Sequence, residues 1–266
     1  LTTVHRQAFD NPLMKPLCQL VSFIQKEAKP EPLVESDHFI RNVPNLAEAY
    51  VDAPSEDKVI LAYTNRQAQH YNFMAEGKTE PEVGDELFSP TMHHYFSLAK
   101  TLEPHEITGI NLPFGGEKLE LGSKYKTLEH LLAKNMAKYY VLKDEDGDEL
   151  TMAVVFGTYN YKLALEEYGK PAVQANKEIE RQFKQPAAKW AKTNWDHPLA
   201  KKRGKAWRDY LTFKECVICL DFTHAMTVHK SQGSTYELVF IDVKDIALCA
   251  DTDYELYLKL MYIAMS

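Results

Sequence analysis

The stretch TVHKSQGSTYE, residues 227–237, places a His, a Lys, a Gln and a Gly between hydroxyl-bearing flanks. Thr227, His229 and Ser231 are compact hydrogen-bond donors of the kind that reach phosphate oxygens. Gly233 lets a backbone approach a ligand closely. A helix starting near Lys230 would turn its first N–H groups outward, where an anion is favoured. The chemistry these residues suit is recognition of an anion, either a nucleotide phosphate or a nucleic-acid backbone. The plain alternative is a capped strand–helix connection.

Other constellations carry less. Gly77-Lys78-Thr79 has the tail of a phosphate loop, but Asn72 stands where the loop needs its first Gly, and a helix precedes it instead of a strand. Cys216, Cys219, His224 and His229 spell C-x2-C-x4-H-x4-H, close to a zinc knuckle. Strand alternation would put the two cysteines on opposite faces, so two small buried side chains are expected there. The acidic run KDEDGDE, 143–149, lacks the spacing of a calcium loop and reads as a hairpin tip around Asp146-Gly147. His93-His94 has no third ligand near it in sequence.

The elements that must position residues 227–237 are short apolar runs. VICLDF, 217–222, and LVFIDV, 238–243, read as buried strands on either side. KVILAY, 58–63, is another, followed by a helix over 64–75 that Thr64 or Asn65 can cap. Near the start, LTTV reads as a strand end. Asn11 and Pro12 suit a helix start, with Leu13, Leu17, Leu20, Val21 and Ile24 as its stripe. A short helix is expected near Asn45–Tyr50. Residues 84–158 alternate like strands with many turn signals, and 159–214 read as helical. The expected fold is α/β: a parallel-sheet domain split in sequence, residues 1–80 and 215–266, around a β-rich and helical insert over 81–214.

Composition is that of an ordinary globular chain, 45% apolar and 26% charged. No run approaches the roughly 18–20 apolar residues of a membrane span, and no secretory signal is visible. Four irregularly spaced cysteines favour reduced thiols and a cytoplasmic setting. The start at Leu1 and the stop inside ELYLKLMYIAMS suggest a fragment of a longer protein. The net charge of −7 argues against a general nucleic-acid glue, but the charge is uneven. Residues 184–208 hold eight Lys or Arg against one Asp, leaving 23 basic and 37 acidic residues elsewhere. All three tryptophans, Trp190, Trp195 and Trp207, sit in that basic stretch. Cations for phosphates and flat rings for bases are what a single-strand surface needs. The competing reading is a solvated basic helix pair whose tryptophans face the core.

AMTVHKSQGSTYELVFID resembles motif V of superfamily 1 DNA helicases, in the RecD-like and phage Dda-like branch. LTTVHRQ looks like motif IV, LAYTNRQAQHYN like the strand and helix of the second motor domain with its Thr-Asn pair, and YLKLMYIAMS like the start of motif VI. The resemblance implies a second RecA-like motor domain with an SH3-like barrel in the insert. It implies that Arg6 meets the γ-phosphate of ATP and that Gln232 and Gly233 line the nucleotide cleft. Thr64, Asn65, Thr227, His229, Lys230 and Ser231 would contact single-stranded DNA, with Trp195 and Trp207 added from the basic stretch. ATP and Mg2+ would be bound mainly by an N-terminal RecA-like domain of the same protein. Further partners would be replication or recombination proteins, in a cytoplasm (that of the host, for a phage protein). The branch often carries Glu where this chain has Thr235, which leaves a ribose contact there open. The rival reading is a non-catalytic interaction module with a degenerate helicase fold.

Overall fold

The computed structural model describes residues 13–29, 43–113, 119–120 and 137–266. The LTTV strand, the Asn11–Pro12 helix start and Arg6 lie outside them, as does most of the expected strand alternation over 117–130. The chain divides into two compact units, Leu1–Thr79 with Phe222–Ser266, and Glu80–Asp221.

The first unit is built on a parallel three-stranded sheet. Its central strand β1, Lys58–Ala62, pairs with β10, Leu238–Ile241, and with β9, Ala225–Thr227. After Lys58 the strand runs on as VILA, continuously apolar and buried, because a central parallel strand is covered on both faces. Its alternation sorts the two faces. Val59 and Leu61 pack with Leu17 and Leu20 of α1, Met14–Ile24, and with Leu258 and Met261 of the C-terminal helix, Tyr254–Met265. Ile60 points the other way, to Tyr50 of α2, Leu46–Asp52, and Tyr71 of α3, Asn65–Glu76. A helix–sheet–helix sandwich results, with Val59–Ala62 of β1 buried inside it. Strand β10 is only partly buried, unlike the fully buried strand its apolar sequence suggests.

Helix α3 is bounded by local chemistry. Thr64 accepts from the Gln67 N–H at its start, and Gly77 closes it at φ +75°, a left-handed cap that glycine adopts without strain. The Gly-Lys-Thr of 77–79 is therefore a helix stop. Two segments of this unit are tied side by side. Asn72 takes Ala225 from both sides, accepting its N–H at 2.6 Å and donating to its carbonyl at 3.1 Å. His224 Nε2 lies 2.6 Å from Glu76, and its Nδ1 3.1 Å from the Tyr50 hydroxyl. Lys78 sits over the Phe222 ring.

The second unit carries a mixed five-stranded sheet in the order β2 (Glu86–Ser89), β3 (His94–Leu102), β6 (Lys138–Lys143), β7 (Glu149–Phe156), β8 (Val217–Leu220). All pairs are antiparallel except β7–β8. Phe88 and Asp221 exchange both backbone bonds at 3.0 Å, so the sheet curls until its first strand meets the end of its last. The β6–β7 hairpin turns where expected, with Gly147 at φ +86° and Asp144 accepting from the Asp146 and Asp148 N–H groups. A two-residue pair, β4 (Gly109–Ile110) with β5 (Leu119–Glu120), lies between β3 and β6 in sequence.

The strand VICL corrects one expectation. It does not pair with the parallel sheet of the first unit; it pairs with β7 in the curled sheet, and the first unit resumes at Phe222. An apolar run declares a strand but not its partner, and the strand that does flank β1 is the short β9. Three helices follow β7 in sequence: α4, Thr158–Phe183; α5, Ala187–Thr193; and α6, Pro198–Cys216. The buried Asp221 carboxylate accepts the Thr158 N–H at 2.8 Å and so holds the first turn of α4. Tyr161, Tyr168 and Phe213 stack over the sheet beside Cys216 and Cys219. Both cysteines share this core because Cys216 ends a helix rather than alternating along a strand. Burial pushes the Cys216 thiol up to about 11. No described helix is long and apolar enough to cross a membrane.

Candidate functional site

All three strands of the parallel sheet run the same way, so their loops emerge together at one edge. Open parallel sheets bind ligands outside the carboxyl ends of their strands. Here that edge gathers residues 63–65 after β1, 228–233 after β9 and 242–245 after β10. Ala62 pairs with Thr227, so the first two loops leave from adjacent points. The rings of Tyr63 and His229 lie 6.2 Å apart across them.

The loop after β1 is held from beneath. Asp245 is 8% exposed, and one of its oxygens accepts the N–H groups of Tyr63 and Thr64, each at 2.7 Å. The other accepts the Thr64 hydroxyl at 3.0 Å. Asp242, also buried, accepts the Asp245 N–H, the Tyr71 hydroxyl at 2.7 Å and the Gln67 amide at 3.2 Å. Burial, reinforced by the Asp242 bond, pushes the Tyr71 phenol up to about 12. The Thr64 hydroxyl hydrogen is thus spent inward. Asn65, half-buried, and Arg66, exposed, are the next side chains on α3.

The loop after β9 differs from expectation in its helix. The turn runs Val228–Ser231, two residues earlier than a start at Lys230, and is a single turn. Its short length offers no N-terminal anion site, and Gly233 lies past its end at φ +102° with open space where a Cβ would stand. Thr227 and Ser231 are buried, and Ser231 donates to the Val228 carbonyl at 2.9 Å. Helical spacing explains this: Val228 and Ser231, three residues apart, point into the core, and His229 and Lys230 are exposed on the other side of the turn. Gln232 and Gly233 are exposed. So the edge turns out Asn65, Arg66, His229, Lys230, Gln232 and Gly233, and uses Thr64, Thr227 and Ser231 as its framework.

The basic stretch belongs to the second unit. Its three tryptophans have three different settings. Trp190 is 4% exposed and stacks on Phe183 at 4.1 Å. Trp195, between α5 and α6, is 69% exposed. Trp207 is half-buried on α6, donates to Asn176 at 3.3 Å and has the Arg203 guanidinium 6.0 Å from its ring. Lys201 and Lys202 pair with Asp196 and Glu178, while Lys189, Lys192, Lys205 and Arg208 are exposed.

The four residues of the zinc-like spacing are not gathered. The cysteines are in the second unit's core, His224 is engaged by Glu76 and Tyr50, and His229 stands at the sheet edge. Among the described residues no group of three His, Cys, Asp or Glu could hold a metal ion. The sequence reading missed Asp242, Asp245 and Arg66. The D-x-x-D spacing after a strand was the available signal, because it is how a helix start caps itself. No curated protein matches the chain. Residues 222–266, which carry β9, β10 and two of the three edge loops, match the UvrD-like helicase C-terminal domain, a superfamily 1 helicase family.

Proposed function

We propose that this chain is the second motor domain, with its insert, of an ATP-dependent DNA helicase of the RecD-like and Dda-like branch, moving 5′-to-3′ on single-stranded DNA. The observation that carries the reading is the coincidence of the family match over 222–266 with the strand-end edge. The residues that edge turns outward are the types that meet phosphates. In this reading the first unit is the RecA-like domain and the curled sheet of the second is its SH3-like barrel. Asn65, His229 and Lys230 meet the DNA backbone, over a framework of Thr64, Thr227 and Ser231, while Trp195 and Trp207 offer rings to bases. Gln232 and Gly233 face the nucleotide. Both are exposed, and the open space at Gly233 fits a group arriving from outside the chain.

ATP supplies the free energy, and Arg6 completes the charge around its γ-phosphate when the two motor domains close. Movement follows if each nucleotide state grips the strand differently. This sequence contains no G-x-x-x-x-G-K-[ST] loop, so on this reading the chain alone neither hydrolyses ATP nor unwinds duplex. The test uses the full-length protein with Arg6→Ala. Turnover should fall about a thousandfold or more, with binding to single-stranded DNA retained. A full-length protein that binds DNA without any ATP turnover would instead support the non-catalytic module. DNA-stimulated turnover by the isolated chain would overturn the predicted inactivity.

A further inference from the structure

We infer that Asp245 is a positioning residue for nucleic-acid contact at the sheet edge, acting through the backbone of Tyr63 and Thr64. The inference rests on the nucleic-acid reading of that edge and adds to it a residue that touches no ligand. Three hydrogen bonds converge on this one buried carboxylate, at 2.7, 2.7 and 3.0 Å, and all come from two consecutive residues of the loop after β1. Bonds to a charged acceptor are the stronger kind. Asp242 fixes Asp245 in turn, and is itself held by Gln67 and Tyr71 of α3 and by its own N–H on the Leu61 carbonyl. The circuit joins the end of β1, the start of α3 and the end of β10.

Its output is the placement of Asn65 and Arg66, which follow Thr64 directly. A side chain that must meet a ligand works only if its backbone is held to a fraction of an ångström, and supporting hydrogen bonds do the holding. Without the carboxylate, two backbone N–H groups and a hydroxyl are left without their partner together. The loop would then be free to leave the line it shares with His229.

The shape of the site makes the test specific. Asparagine matches aspartate in outline. Its oxygen can accept the two N–H groups while its amide donates to the Thr64 oxygen. The probe is a fluorescein-labelled oligo-dT, titrated against the intact chain over a series of salt concentrations. Asp245→Ala should weaken binding about tenfold. It should also flatten the salt dependence by about 0.7 in log–log slope for each phosphate that is no longer neutralised. Asp245→Asn should restore most of the affinity and the slope. A purely structural role lowers the folded fraction and leaves the slope alone. If Asp245→Ala does not fold, Thr64→Val against Thr64→Ser decides, the valine reducing affinity and slope and the serine keeping both. Wild-type affinity and slope in folded Asp245→Ala, or equal behaviour of the two Thr64 variants, would overturn the inference alone. Absence of oligo-dT binding by the wild-type chain would overturn the nucleic-acid reading beneath it, and the inference with it.

Discussion

The strand-end edge of the first unit and the helical stretch of the second offer a polymer two different surfaces. At the edge, few charges point outward, and the backbone beneath them is fixed by two buried carboxylates and a circuit of hydrogen bonds. In the helical stretch, charge is plentiful and an indole stands 69% exposed, but the lysines ride on long flexible stems. The first arrangement suits placing a side chain, and the second, on the proposed reading, suits attracting a polyanion. Attraction is long-ranged and falls with salt. Placement is short-ranged and depends on geometry. On the proposed reading the two tasks fall to separate units, and a protein of net charge −7 still carries eight Lys or Arg against one Asp over residues 184–208.

The contrast between the units should vanish at alkaline pH, where both carry buried phenols. Burial pushes the phenols of Tyr140, Tyr161 and Tyr168 in the second unit up to about 12, from an ordinary 10.0, and in the first it pushes Tyr71 to about 12 and raises Tyr50 and Tyr257 as well. A raised phenol contributes stability that is complete below pH 10 and lost as the pH climbs toward 12. All three tryptophans report on the second unit. Their fluorescence should therefore change above pH 10 in the same range as far-UV circular dichroism of the whole chain, and retention of both signals to pH 12 would contradict this. Next in size is Trp190→Ala, which should cost about 3–5 kcal/mol in urea unfolding because it empties the stack on Phe183. Trp195→Ala should leave stability within about 0.5 kcal/mol, yet remove about 1–3 kcal/mol of oligo-dT binding. Unchanged affinity would make that indole mere surface. The smallest effect is Gly204→Ala on α6, where nothing lies within 4 Å of the new Cβ. It should stabilise the helix by about 0.5–1 kcal/mol, and a lower melting temperature would mean that α6 bends there.

What the sequence made legible follows from what is local. The helix start at Thr64 and the turn at Asp146-Gly147 depend on neighbours within a few residues, and each could be read. The partner of VICL could not, since pairing with β7 or with β1 demands the same apolar run. Trp190 and Trp195 sit five residues apart in one basic stretch, and composition treats them alike. The packing of Trp190 against Phe183, Ile179 and Ala200 separates them, and it joins three helices. The candidate site shows the same division. His229, Lys230, Gln232 and Gly233 announced themselves by type, but the inward turn of Ser231 depends on where a one-turn helix begins. Asp245 reaches back some 180 residues to Thr64, a distance over which no pattern in a single sequence speaks.

The bonds that tie residues 72–78 to residues 222–225 have a consequence for ancestry. The chain departs for its second unit just after Glu76 and returns just before His224, and those two side chains are 2.6 Å apart. Everything between is a cassette with neighbouring ends. Insertions survive best where the host's ends already lie close together. Exchange for a shorter or longer cassette would leave Asn72 and Ala225 in place to hold each other, because both belong to the first unit.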